Sequence, residues 1–150
     1  MERAYRIVLA DSNSSFRYDL KRILIENVEL KVEEASGGLE LLNLLKLSQT
    51  APDLLIVDIF MTDFDGVQTV HQIKKTYPKI KVLIMSMNKE KEYYQQALSS
   101  GAEGYILKQD LDMEVIGAIE KIRQGGVYLS PLLSSGSVGL GPMGKLKNDL

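Results

Sequence analysis

The chain has 150 residues, 45% hydrophobic and 25% charged, the composition of an ordinary globular domain rather than of a fibrous or largely disordered protein. Lys and Arg number 18 against 20 Asp and Glu, for a net charge of -2, and the basic residues are scattered among acids instead of gathered into the face a nucleic-acid binder presents. Without cysteine the chain has no disulfide, thiolate metal site or cysteine nucleophile. With no apolar run near the ~20 residues that span a bilayer and no signal-peptide core, it reads as a cytoplasmic protein that does not enter membranes.

Short apolar runs alternate with longer helical patterns from the start. Residues 7–10, IVLA, form a first strand, and Phe16, Leu20, Ile23 and Leu24 recur after it at helical spacing, with Asn13 or Ser14 as the cap. Residues 31–35 read as a half-buried strand. Ser36, Gly37 and Gly38 then open a leucine-rich helix over 39–47. Pro52 and Asp53 mark the entry to LLIV, 54–57, which lacks alternation and is predicted to be a central strand buried on both faces. Asp65 and Gly66 lead into a third helix with Val67, Val70 and Ile73 on one face, which Tyr77 and Pro78 end because proline cannot continue it.

Residues 80–85 give a fourth strand, 88–100 a more polar helix, 104–107 a fifth strand and 112–124 a fifth helix stopped by Gly125 and Gly126. This order predicts a doubly wound α/β domain, a parallel sheet of five strands with helices on both faces. The folded unit is expected over 1–130, and the Ser/Gly-rich stretch 131–150 reads as a linker or C-terminal tail without the amphipathic helices of a DNA-binding domain.

Four of the apolar runs end in a polar or ionisable residue: Asp11, Asp58, Ser86 and Lys108. In a parallel sheet these converge at the carboxyl edge, where open α/β folds bind ligands. A nucleophilic carboxylate, a second acid, a hydroxyl and an ammonium together suit a phosphoryl group and a divalent cation. Read singly, Asp58 is a strand-ending acid, Ser86 a cap before Asn88 and Lys108 an exposed lysine; the set at matching strand ends favours function. His71 has no partner ligands at metal spacing and is expected at the surface or core edge. Asp65 is expected to cap the third helix and Asp63 to be solvated. Tyr93 and Tyr94 form either a partner surface around the fourth helix or ordinary packing.

With these residues in view, DLLIVDIFMTDFDG, VLIMSMN and GAEGYILK closely resemble the receiver domain of two-component response regulators, in particular those whose regulators carry a LuxR-type (NarL/FixJ) DNA-binding domain. The resemblance spans roughly residues 5–131. It implies a flavodoxin-like (βα)5 fold with strand order 2-1-3-4-5, and a signalling module rather than a turnover enzyme. A histidine kinase or phosphotransfer protein would deliver a phosphoryl group to Asp58. Asp11, Asp58 and the backbone carbonyl of Phe60 would hold Mg²⁺, Ser86 and Lys108 would stabilise the phosphoryl group, and Tyr105 would act with Ser86 as the switch. Phosphorylation would draw Ser86 inward and let Tyr105 fill the space it leaves, while the Phe60 side chain would border the path of attacking water.

Two positions depart from the pattern. Ser12 stands where a second metal-binding acid is expected, which weakens Mg²⁺, and Thr62 stands for the usual proline. The rival reading is therefore a pseudo-receiver that binds partners without metal-dependent phosphorylation. A small phosphatase would need a further acid/base and a substrate cap, for which no insertion is long enough. Self-association is left open, and nucleic-acid binding is not expected of this chain itself.

Overall fold

The structure is a computed structural model and describes residues 3–133 apart from Thr62, Phe64 and Leu132. Six parallel strands lie in the order β2-β1-β3-β4-β5-β6, with β1 at Tyr5–Ala10, β2 at Leu30–Ala35, β3 at Leu54–Asp58, β4 at Lys81–Ser86, β5 at Gly104–Leu107 and β6 at Tyr128–Leu129. The helices between them are α1 at Ser14–Ile25, α2 at Gly38–Leu47, α3 at Gly66–Thr76, α4 at Lys91–Ser99 and α5 at Leu111–Arg123. The expected 2-1-3-4-5 order is thus present, extended by one short strand.

Period-2 alternation divides each strand between two cores. Val8, Leu55, Val57, Ile84 and Tyr105 face one side with Leu41 and Leu45 of α2, Val70 and Ile73 of α3, and Tyr94 and Ala97 of α4. Ile7, Leu9, Ile56, Leu83 and Ile106 face the other, with Leu20 and Leu24 of α1 and Val115, Ile119 and Ile122 of α5. Every residue of β3 is buried, as its unbroken apolar run predicts for the middle of a doubly covered sheet. Each large side chain so removed from water contributes about 1.5–3 kcal/mol to the folded state.

Most element ends fall within one or two residues of expectation, and two departures are larger. The fourth helix starts at Lys91 rather than residue 88, because the Asn88 side chain accepts the Glu90 N–H (3.1 Å) and its carbonyl accepts the Tyr105 hydroxyl (2.7 Å), which keeps that residue in the loop. The sixth strand was not expected at all. Tyr128 donates its N–H to Glu103 (2.9 Å) and Ser130 donates to Tyr105 (3.2 Å), so the segment after α5 pairs with the outer edge of β5. Leu133 is buried in the same core as Tyr105. The expected boundary at residue 130 falls on a fully buried serine, and the stretch expected as linker lies, beyond residue 133, outside the described residues.

Candidate functional site

The strand register sets which side chains meet. Ala10 pairs with Val57, Asp58 with Met85, and Ser86 with Leu107, so the chain leaves β1, β3, β4 and β5 at one edge. By alternation, Asp11 and Asp58 follow residues facing α2, α3 and α4 and therefore point toward α1 and α5, whereas Ser86 falls on the side of Tyr105 and α4. The candidate site straddles the sheet edge, with the charged cluster on one side and the hydroxyl pair on the other.

Lys108 reaches Asp11 Oδ2 at 2.6 Å and Asp58 Oδ2 at 3.1 Å. Its Nζ lies 4.4 Å from the centre of the Phe16 ring, a cation–π contact that covers one flank of the ammonium. Burial by itself would push the lysine down, but hydrogen bonding and attraction from Asp11 and Asp58 outweigh it and hold Lys108 above its ordinary range, so the ammonium stays charged at neutral pH. Asp11 Oδ1 accepts the Asn13 N–H (2.8 Å) and Asp58 Oδ1 accepts the Phe60 N–H (3.0 Å). Asp11 is fully buried and Asp58 nearly so. Two carboxylates against one ammonium leave this cluster one negative charge on hard oxygen atoms; such a donor set fits Mg²⁺, which takes one or two carboxylates and completes its shell with other oxygen ligands such as water or phosphate.

On the other side Ser86 is fully buried and its Oγ accepts the Asn88 N–H at 2.9 Å; this bond closes a turn at the strand end and is not a helix cap, because Glu90 holds the position before α4. Tyr105 is also fully buried, its hydroxyl donating to Asn88 and its ring 6.1 Å from that of Tyr94. Burial pushes its phenol above the usual range, against the opposing effect of Ser86. Tyr105 is thus packed inward while Ser86 still holds the Asn88 N–H.

Phe60 is half exposed and stacks edge-on against Tyr93 at 5.8 Å, which joins the loop after β3 to α4. Of the tyrosine pair, Tyr94 is core and Tyr93 is partly buried on the core's margin, so ordinary packing accounts for Tyr94. His71 is exposed on α3, as its isolation in the sequence suggested, and Ser12 is exposed beside the site. Thr62 lies outside the described residues.

Two acids of the loop bond differently from expectation. Asp63 is exposed, as expected, yet it accepts the N–H of Gly38 at 2.8 Å and of Leu39 at 3.1 Å, and these backbone donors hold its carboxyl below the usual range. Asp65 occupies the position before α3, yet its side chain makes no capping bond. The Asp63 contact joins residues 25 apart in the chain; the sequence signal was a helix opening on Gly37 and Gly38, neither of which has a side chain to cap it.

A parallel 2-1-3-4-5 sheet with two acids, a hydroxyl and a lysine at its carboxyl edge defines a class, and the comparisons agree with it. Residues 7–120 match the response regulator receiver domain family, and the chain belongs to that family. Its relatives are response regulators of the LuxR/NarL type. It is 32% identical over 134 residues to the transcriptional regulatory protein DegU of Brevibacillus brevis, covering 87% of this chain and 55% of that one. It is also 32% identical over 135 residues to the oxygen regulatory protein NreC of Staphylococcus carnosus, covering 89% and 61%. The chain thus spans little more than half the length of these relatives.

Among solved structures, a two-component response regulator of the LuxR family from Aurantimonas superposes with a TM-score of 0.81 at 26% identity, covering 88% of this chain and 94% of that one. The isolated receiver domain of RcsB from Salmonella enterica, solved with the phosphomimetic BeF3-, shares the fold at a TM-score of 0.81 and 20% identity, covering 88% and 97%. Receiver domains are signalling modules of two-component systems and generally bind Mg²⁺ at their phosphorylation site. The pseudo-receiver alternative receives no support from these matches. Among the described residues no helix is long and apolar enough to cross a membrane.

Proposed function

We propose that Asp58 is the phosphoacceptor of this receiver, with Lys108 and Ser86 as its charge and hydrogen-bond partners, and Asp11, Asp58 and the carbonyl of Phe60 as the residues that would hold Mg²⁺. The observation that carries the reading is the bridging of Asp11 and Asp58 by one partly buried ammonium, at 2.6 and 3.1 Å. A carboxylate oxygen of Asp58 attacks phosphorus, an O–P bond forms, and the bond from phosphorus to the donor's leaving group breaks. With a kinase as donor, that leaving group is an imidazole nitrogen. Hydrolysis reverses the state: water attacks phosphorus, the acyl phosphate O–P bond breaks, and inorganic phosphate leaves.

Lys108 begins paired with both carboxylates, and a phosphoryl oxygen gives its charge a stronger partner than Asp58 alone offers. The Ser86 hydroxyl donates to a second phosphoryl oxygen, and as it moves toward that oxygen its Oγ exchanges the bond accepted from the Asn88 N–H for the new contact. Because Asn88 also accepts from Tyr105, this exchange links the charge at Asp58 to the packing of Tyr105 against α4, and the switch acts by shifting populations of that packing. Bound Mg²⁺ would supply neutralisation of charge on the transferring group.

The unit 1–130 acts in this reading as a cytoplasmic signalling module without turnover of a metabolite. A histidine kinase or phosphotransfer protein phosphorylates it, and 131–150 serves as a linker to whatever output the signal controls. Self-association and DNA binding through a further domain, as the names of relatives suggest for those proteins, are part of the same proposal. The test is intact-mass spectrometry after incubation with a small phosphodonor, with and without Mg²⁺, beside Asp58→Asn. One added phosphoryl group that requires Mg²⁺ and vanishes in the variant is the expected result; no adduct under any donor condition overturns it.

A further inference from the structure

The loop from Ile59 to Gly66 carries Phe60, whose carbonyl the functional reading assigns to Mg²⁺, and its anchors can be followed one by one. Ile59 donates its N–H to Met85 at 3.1 Å, continuing the β3–β4 ladder. Ile59 and Met61 are buried in the core. At the far end, a Cβ on Gly66 would stand 2.4 Å from the Ile59 side chain and 2.7 Å from its carbonyl oxygen, so the start of α3 is pressed against the start of the loop. Between these points Asp63 leaves its own unit and grips the first turn of α2 with both carboxylate oxygens.

This grip has the chemistry of a helix cap supplied from a distance. Gly37, at the capping position, makes no side-chain bond, so the N–H groups of Gly38 and Leu39 have no local acceptor. A carboxylate placed there also meets the positive end of the α2 dipole. The fit is close on the other side: a Cβ on Gly37, whose φ of -168° any residue can adopt, would stand 3.0 and 3.1 Å from the two Asp63 oxygens. Glu40 meanwhile bonds the Ser36 N–H and hydroxyl, which fixes the chain on the N-terminal side of the same turn. Two independent hydrogen-bonded closures thus meet at α2's first turn, and Asp63 ties that turn to the phosphoacceptor loop.

We propose that Asp63 is a positioning residue: by clamping the loop to the N-terminus of α2 it holds the Phe60 carbonyl in place and so sets the affinity of the site for Mg²⁺. This rests on the phosphoacceptor reading of the site. The effect matters more here than in a site with two loop acids, because Ser12 brings no charge and a larger share of the metal's hold falls on Asp58 and the Phe60 carbonyl.

The experiment is a titration of the full chain with MgCl2, without phosphodonor, followed by backbone amide chemical shifts in wild type, Asp63→Ala, Asp63→Asn and Gly37→Ala, alongside thermal melting. Asp63→Ala and Gly37→Ala are expected to raise the Mg²⁺ midpoint about tenfold, as loss of a residue orienting a ligand does. Asp63→Asn, which keeps one acceptor oxygen, should fall between. Phosphorylation by a small donor at saturating Mg²⁺ should return to within about twofold of wild type, since the reacting groups are untouched. A wild type that responds to Mg²⁺ with variants indistinguishable from it overturns the clamp alone. Variants that lose melting temperature and phosphorylate slowly at every Mg²⁺ concentration reduce Asp63 to a structural role and also overturn it. A wild type with no response to Mg²⁺ overturns the reading of the site and this inference together.

Discussion

At the scale of single residues, Gly66 shows how a position chosen for one reason can be mistaken for another. In the sequence it follows Asp65 and reads as the opening of a helix, where any good helix former would serve. The structure gives it a second task, because β3's extension and α3 approach so closely there that a Cβ would overlap the Ile59 side chain and stand 2.7 Å from its carbonyl oxygen. Alanine would gain up to about 1 kcal/mol of helix propensity, but overpacking against a buried backbone costs about 1–3 kcal/mol, and the carbonyl has no rotamer by which to yield. Gly66→Ala is therefore expected to be net destabilising in urea denaturation, although the same change on an exposed helix stabilises. A more stable variant would mean that the loop shifts freely.

At the scale of elements, the edge of the sheet opposite the site is tied by Asp53. Its carboxylate accepts two bonds from the Arg3 guanidinium, at 2.9 and 2.6 Å, and one from the Arg6 N–H at 2.8 Å. Its backbone links Arg6 to Lys81, so the starts of β1, β3 and β4 meet at one residue. Burial raises this carboxyl, but Arg3 and the Arg6 N–H and charge overcome it and leave it below its ordinary range. A depressed carboxyl contributes stability that is complete above the unfolded-state value of about 3.9 and is lost as pH falls from there through the folded value. Asp53→Asn is accordingly expected to be less stable than wild type at pH 7, with the gap closing below about pH 4. Denaturation curves across that range check it, and a gap constant with pH would remove Asp53 from the acid limb. Arg3 is largely exposed, so its share is reduced by solvent screening.

At the scale of the whole molecule, the segment after α5 belongs to the fold. β6 covers the outer edge of β5, an edge that otherwise offers unpaired backbone groups. Ser130 Oγ accepts the Leu107 N–H at 2.9 Å in a fully buried setting, and Glu114 collects the hydroxyls of Tyr128 (2.8 Å) and Ser130 (3.2 Å). Burial and then Glu114 push the Tyr128 phenol far above its usual range, so its hydroxyl keeps the proton it donates to Glu114. A chain ended after Val127 loses the Leu133 anchor and leaves the Leu107 N–H unpaired. Relative to one ended after Leu133 it should be less stable by about 3 kcal/mol or more, read from thermal melting of the two. Equal melting temperatures would show that β6 contributes nothing to stability. Leu107 immediately precedes Lys108, so this edge also supports the strand end that presents the site's ammonium.

The alternation of strand and helix, the two-faced burial of 54–57 and the four strand-end residues were legible in the sequence, because each depends on period and on punctuation by Gly, Pro and capping residues within a few positions. The site's membership followed from the same reading, since parallel strands deliver their carboxyl ends to one edge whatever the details of packing. The split of the charged cluster from the hydroxyl pair, the burial of Tyr105 against Tyr94, the grip of Asp63 on α2 and the sixth strand were decided only by the tertiary structure. Each joins residues remote in the chain through distances of a few ångströms, and such closures depend on how elements pack against one another, which no local pattern encodes.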